Sequence, residues 1–351
     1  MKIFDDIQRA LSNEMPFVVY NTPNSDFIKA FFQVDNTIYE PKDYLESGFV
    51  FAPFDNEEKA ILIPTEKSQF ISERISFDAK FSPSIEYGPD NSQKEFHINL
   101  VENGINEIVN NKFQKVVLSR KEQVSLESSF EIETVFEKLI NKYPTAFVYL
   151  WYHPKVGKWM GATPETLIGV KNKEFKTMSL AGTQLYKKGE KAKWSSKEIE
   201  EQYIVTNYIK SRLETTIQDL SVGEVETIQI GNLLHLRTLI SGSVEKNISS
   251  LIDILHPTPA VCGFPKEEAK KFILQNEGYN RKFYTGFLGE LNIKEEESFI
   301  VSNLYVNLRC MEIVSDTLID VYVGGGVTKE SNAEKEWEET VAKSKAMKSV
   351  L

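Results

Sequence analysis

The sequence predicts a layered α/β or α+β protein, and three observations predict it. Short β-branched and aromatic runs, each bounded by turn residues, recur along the chain. Stretches with helical apolar spacing interleave with them. No repeat and no low-complexity linker divides the sequence. Many strands with helices between them need helices layered over a sheet core. Strand order is not readable from this pattern, and 351 residues leave two domains or one large layered domain both open.

Taken in order, residues 1–95 combine a short amphipathic helix with strand-like runs, "ESGFVFAPF" and "KAILIPT". Residues 94–112 carry Ile98, Val101, Ile105 and Ile108 at helical spacing. "KVVLSRKEQV" reads as a strand, and "IETVFEKLINKYP" as a helix stopped by Pro144. "AFVYLWYH", "KWMGATPETLIGV" and "EFKTMSLAGTQ" are strand-like, residues 196–218 form a long helix, and "LIDILHPTPAVCG" begins as another. "RKFYTGFLGELN", "SFIVSNLYVNLRCMEIV" and "TLIDVYVGGGV" read as late strands before a closing helix.

Composition excludes several functions. The apolar, charged and glycine contents are those of an ordinary soluble protein. A net charge of −10 gives no electrostatic case for nucleic acid or an anionic membrane. An anionic small molecule stays open, since local basic groups override a global sign. No apolar run approaches the roughly 20 residues that span a bilayer. The first residues carry acids where an export signal needs an apolar stretch. Cys262 and Cys310 lie far apart without metal-ligand spacing, so the cytoplasm is the expected compartment.

Several polar residues stand where packing alone would not put them. In "KVVLSR", alternation places Lys115, Val117 and Ser119 on one face. The common outcome for Lys115 is a strand-end lysine reaching solvent. The functional one is an amine held against an apolar surface, where burial disfavours its charge and makes it a base. Glu165 follows Pro164 in "GATPETLIGV"; a turn glutamate is usually solvated. In "SSKEIEEQYIVTNYIKSRLE", Glu201 shares an apolar stripe with Ile204, Val205 and Tyr208, and Glu198 precedes it by one turn. Charge on such a stripe is costly unless paired or metal-bound, and a stripe-edge residue bending out to water is an equal alternative. In the closing helix Glu336, Glu339 and Lys343 share a face that Ala346 and Val350 continue. Two helices offering carboxylates suit a hard divalent cation such as Mg²⁺; the four histidines have no zinc spacing.

Arg309 lies inside the strand-like run "NLYVNLRCMEI" and is expected to pair with a carboxylate, the protein's or a ligand's. "SLAGTQ" and "VGGG" read as turns with exposed N–H groups, weak anion-binding signals on their own. "LHPTPAVCGFP" reads as a rigid loop, and His235, alternating with leucines, as a satisfied core histidine.

Together "KVVLSR", "GATPE", "SLAGT", the helix with Glu201, "HL", "LHPTPAVCGFP", "FYTG", "LRC" and "GGGVTKESNAEKEWEET…K" resemble the chorismate-utilising enzyme family, in its order and approximate spacing over residues 95–351. The resemblance implies the anthranilate synthase component I-like fold: a large β-sheet core covered by helices, with the active site in a cleft between two halves. Residues 1–94 would be its variable N-terminal part and residues 95–351 its chorismate-binding catalytic region. It implies Lys115 as the base that activates water for attack at C2 of chorismate, and Glu165 as the acid for the departing C4 hydroxyl. Glu201 and Glu339 match Mg²⁺ ligands, with Glu198 and Glu336 supporting them. Tyr284, Arg309, Lys343 and the amides near Gly324 and Gly326 match groups that hold the substrate carboxylates. Leu180, Gly182 and Thr183 match substrate contacts, and His235 a histidine near the ring carboxylate. Gln202 stands where relatives often have His.

Within the family the chain is most similar to isochorismate synthases. Ammonia-using members usually carry a threonine in the proline-rich loop, where this chain has Ala260. Salicylate synthase, which goes on to remove pyruvate, is the alternative. A non-catalytic anion- or nucleotide-binding protein is the reading from another class, although neither a phosphate-binding "GxxxxGK[ST]" nor a dinucleotide "GxGxxG" is present. The product would feed menaquinone, siderophore or salicylate synthesis, and the resemblance suggests a monomer.

Overall fold

The structure is a computed structural model, and it describes residues 1–76, 87–88, 90–231, 233–244, 248–295 and 299–351. Two nine-stranded sheets dominate it, and every strand pair is antiparallel among the described residues. The open choice between α/β and α+β therefore resolves to α+β.

The first sheet contains the strands Phe17–Asn21, Phe27–Gln33, Ser68–Arg74, Lys115–Ser125, Phe147–His153, Gly157–Thr163, Gly263–Phe264, Cys310–Ser315 and Leu318–Val327. The second is built on Gly48–Ala52, Ile61–Pro64, Thr166–Lys171, Glu174–Leu185, Leu233–Ser243, Phe287–Glu295 and Phe299–Val306, with two short strands at one edge. Strands from residues 17–74 thus complete both sheets.

Both faces of each sheet are covered, which explains strands buried without a break. In Phe147–His153, Val148 and Leu150 point to a core under the helices Lys2–Ser12, Ile132–Lys142 and Ala333–Lys348. Phe147, Tyr149 and Trp151 point the other way, into an aromatic layer shared with Phe49, Phe51 and Tyr305 of the second sheet. Period-two alternation delivers one side chain set to each core. Phe51 stacks on Phe283 with ring centroids 4.2 Å apart, a pair worth about 0.5–1.5 kcal/mol beyond its area. On the far side, helices Ser196–Leu213 and Ile248–Leu255 cover the second sheet through Val205, Tyr208, Leu251 and Leu255. The order is helices, sheet, sheet, helices.

Several boundaries differ from the sequence expectation. The long helix ends at Leu213 rather than 218. Residues 281–286 form a turn, and the strand begins at Phe287. The run from 298 to 314 is two strands broken at Asn307–Arg309; its first residue, Ser298, lies outside the described residues, as does Asn232 before the strand that carries His235. "SLAGTQ" and "VGGG" are not turns. The first lies within Glu174–Leu185, with an irregularity between Ala181 and Gln184. The second ends Leu318–Val327, where Gly324, Gly325 and Gly326 pair with Ser119, Leu118 and Val117.

Candidate active site

A cavity opens where the aromatic layer meets the ends of both sheets. Glu165, Leu180, Gly182, Thr183, Glu201, His235, Ala260, Tyr284, Arg309, Gly324, Gly326 and Lys343 all line it. Residues that sequence reasoning missed share the wall, among them Val117, Thr285, Tyr322 and the middle glycine, Gly325. Tyr322 gave no signal, because it sits in a regular apolar strand, and Thr285 lay within the quoted "FYTG" without being singled out.

Lys115 opens its strand between Phe264 on one side and the glycine strand on the other. It is fully buried rather than solvated. Its Nζ lies 3.0 Å from Glu201 Oε1, an ion pair that no well-directed hydrogen bond accompanies. Glu201 comes from the helix on the second sheet, so the pair joins the two halves. It reaches the site because Gln202, its neighbour, faces inward and anchors the helix by donating to Ser179 Oγ at 3.0 Å and Thr238 Oγ1 at 3.2 Å.

The glycines make room for this chemistry. A Cβ on Gly326 would stand 2.2 Å from Glu201 Oε1 and 3.2 Å from Lys115 Cε. A Cβ on Gly325 would meet Glu336 Oε2 at 3.3 Å and Glu339 Oε1 at 3.5 Å. One glycine thus fits Glu201 and the next fits the closing helix.

That helix is capped by Asn332, whose side chain accepts from Lys335 N. Its first turn places Glu336 against the glycine strand, where the helix dipole favours a carboxylate. Lys197 Nζ donates to Glu336 Oε1 at 2.5 Å, while Glu336 Oε2 is buried with no hydrogen-bond partner. Glu339 pairs with Lys343 at 2.6 Å, and Lys343 also donates to the Gly324 carbonyl at 3.1 Å. Burial and then the charge of Glu339 raise the pKa of Glu336; Glu339 is lowered, burial opposing and Lys343 and Lys197 prevailing.

These residues fit a hard cation on two counts: the orphaned Glu336 oxygen, and a glycine cradle in which two carboxylate oxygens converge on one point. All the donors are carboxylate oxygens, the preference of Mg²⁺. Among the described residues no three histidine, cysteine or acidic side chains form a closed metal cluster. Glu198 is not brought to the cradle. Its Oε2 accepts from Ser195 N at 3.0 Å and Ser195 Oγ at 2.5 Å, so it caps its own helix.

Glu165 is buried at the strand break after Pro164. Burial pushes its pKa up to about 8, against the opposing charges of Lys115 and Lys343. At neutral pH it carries a proton. Arg309 lies not within a strand but between two, at φ 47°, and Thr285, which lines the same cavity, has φ 61°. Left-handed φ in non-glycine residues costs on the order of 1–3 kcal/mol and clusters at functional sites. Arg309 has no carboxylate partner among the described residues. His235 is not satisfied. Nδ1 lies 2.9 Å from the Gly182 carbonyl oxygen, and Nε2 is buried without a partner. Burial, then Arg309 and Lys343, lower its pKa to about 3, so the ring is neutral. A Gly182 φ of 68° suits the glycine, whose absent Cβ leaves space for Glu198 Cβ.

Three lysine–glutamate pairs cancel, Glu165 is neutral, and Arg309 remains. A negatively charged protein thus holds a cavity that is locally positive and suited to an anionic ligand.

The chain belongs to the chorismate-binding enzyme family: the profile described as "Chorismate binding enzyme" matches residues 29–351. It is 28% identical over 245 residues to the vibriobactin-specific isochorismate synthase of Vibrio cholerae serotype O1, covering 66% of this chain and 60% of that protein. It is 26% identical over 261 residues to the isochorismate synthase MenF of Escherichia coli K12, covering 72% and 59%. The matched region therefore spans about 60% of the length of these curated relatives. The crystal structure of DhbC from Bacillus anthracis superposes with a TM-score of 0.79 at 23% identity, covering 98% of each chain, and shows the shared fold. Among the described residues no helix is long and apolar enough to cross a membrane.

Proposed function

We propose that the chain is an isochorismate synthase, an isomerase that converts chorismate to isochorismate. The observation that carries this reading is one cavity lined by the buried carboxyl Glu165, by Arg309 without a carboxylate partner among the described residues, and by Glu201, whose ion pair brings the buried Lys115 up behind the wall. The relatives at 26–28% identity are isochorismate synthases, which agrees with it.

In this reading Lys115 acts as the base and takes a proton from a water whose oxygen bonds to C2 of the ring. The double bond shifts, the C4–O bond breaks, and Glu165 gives its proton to the departing hydroxyl, which leaves as water. Each such group typically contributes about 10²–10⁴-fold. Arg309, Lys343 and Tyr284 hold the substrate carboxylates, and the unpartnered Nε2 of His235 accepts from a hydroxyl or bridging water beside them. Ala260 offers only a methyl group, consistent with water as the nucleophile. Glu201, Glu336 and Glu339 would hold Mg²⁺, which when bound withdraws electrons from the ring carboxylate and orients the ring.

Purified protein, chorismate and Mg²⁺, with products separated chromatographically, test the proposal. Isochorismate alone is expected. Salicylate with pyruvate would instead identify a salicylate synthase, and an aminated product formed only with ammonia would overturn the nucleophile assignment.

A further inference from the structure

Lys197 was not singled out by any motif, yet it pairs with an acid of the closing helix. It precedes Glu201 by one helical turn on Ser196–Leu213. Its ammonium reaches across to the closing helix and meets Glu336 Oε1 at 2.5 Å, with its side chain 17% exposed. The other oxygen of Glu336 converges with Glu339 Oε1 over Gly325. A cation already stands among the carboxylates proposed for Mg²⁺.

We infer that Lys197 is an internal counter-cation: it balances the carboxylates of Glu336, Glu339 and Glu201 before a divalent cation binds, competes with that cation, and so weakens and sets its affinity. This rests on the proposed metal reading of the same carboxylates. Glu336 and Glu339, whose oxygens converge over Gly325, would repel one another in a poorly solvated place without a cation. Lys343 and Lys115 neutralise Glu339 and Glu201 individually, while Lys197 links the two helices through Glu336. The Lys197 ammonium already occupies one oxygen of Glu336, so it must yield position when a second cation arrives there. A purely structural crosslink between two helices would not compete in this way.

The test is calorimetric titration with Mg²⁺ alone, and with Mn²⁺ followed by electron paramagnetic resonance, on the full chain without substrate. Lys197→Met should bind either ion about tenfold or more tightly than the wild type, since a neighbouring positive charge has gone. In chelator its melting temperature should fall, and added Mg²⁺ should raise it further than in the wild type. Lys197→Gln provides the same comparison if the methionine variant folds poorly. Lys329→Met, at an exposed lysine 3.7 Å from Glu200, controls for general charge removal and should leave affinity unchanged. Wild-type binding with equal or weaker binding in both Lys197 variants overturns the counter-cation while leaving the metal reading intact. No binding by wild type or variants overturns both.

Discussion

Lys115 Nζ and Glu201 Oε1 meet 3.0 Å apart, one from a strand of the first sheet and the other from the helix covering the second. Both side chains are buried, so the pair ties the two halves of the molecule beside the cavity that Glu201 lines. Removing one partner leaves a buried charge uncompensated, which typically costs about 3–5 kcal/mol. Lys115→Met should therefore lower the melting temperature clearly, and Lys115→Met with Glu201→Gln should recover most of the loss. Both proteins should lack isochorismate formation, falling at least ~10²-fold. Normal turnover by Lys115→Ala would refute the base assignment, and equal stability of the single and double variants would refute the pairing.

Glu165 makes activity and stability respond to pH in the same direction. Its folded pKa, about 8, is raised from 4.5 by burial, so the folded state binds the proton more tightly than the unfolded chain. Between those values the folded protein holds more protons, and stability attributable to this residue falls as pH rises. The acid form needed for protonating the leaving hydroxyl is likewise lost through pH 8. kcat/KM should carry a basic limb near pH 8, and Glu165→Gln should abolish turnover while flattening the decline of melting temperature with pH. A melting profile unchanged by the glutamine would show that the carboxyl is not titrating there.

The glycine strand should grade its variants by distance. Gly326→Ala puts a methyl 2.2 Å from a Glu201 oxygen, closer than atoms approach, so Glu201 must leave Lys115. Gly325→Ala meets Glu336 and Glu339 at 3.3 and 3.5 Å, contacts that a small carboxylate shift relieves. Activity should nearly vanish in the first and persist at a reduced level in the second, with Mg²⁺ affinity weakened in both. Equal activity in the two variants would mean that close approach is not why glycines stand there.

Much of the site was legible because its residue types violate local patterns. Glu201 on an apolar helix stripe and Glu339 on a line leading to Val350 stood out against periodicity, and the structure puts both beside the cavity. The glycines were noticed for the opposite reason, as turn formers, and that reading failed: they continue the ladder, and the space a side chain would need is taken by carboxylates from other elements. Local sequence does not carry that information, because the obstruction is set by tertiary approach. Glu198 shows the same limit. One helical turn before Glu201 placed it on the correct side, but Ser195 offers a nearer pair of donors. Strands were found where both faces are apolar, yet the breaks at Asn307–Arg309 and at 281–286 were missed, since composition alone does not report the left-handed φ of Arg309 and Thr285.

Arg309 carries the last prediction, because it is a charge held in strained backbone with no carboxylate to hold it among the described residues. Burial lowers its pKa, against the opposing influence of Tyr143, Tyr284 and Glu339. A group kept under those conditions contributes to binding rather than folding, and a charge-assisted hydrogen bond to a substrate carboxylate is worth about 1.5–3 kcal/mol. Arg309→Met should raise KM for chorismate roughly 10–100-fold, with a smaller change in kcat and almost none in melting temperature. Arg309→Gly should lose binding to the same extent yet tolerate the positive φ better, so its backbone there should be no less stable than in the methionine variant. Steady-state kinetics beside thermal melts separate these effects: a large drop in melting temperature with KM unchanged would place Arg309 in the scaffold instead of at the substrate.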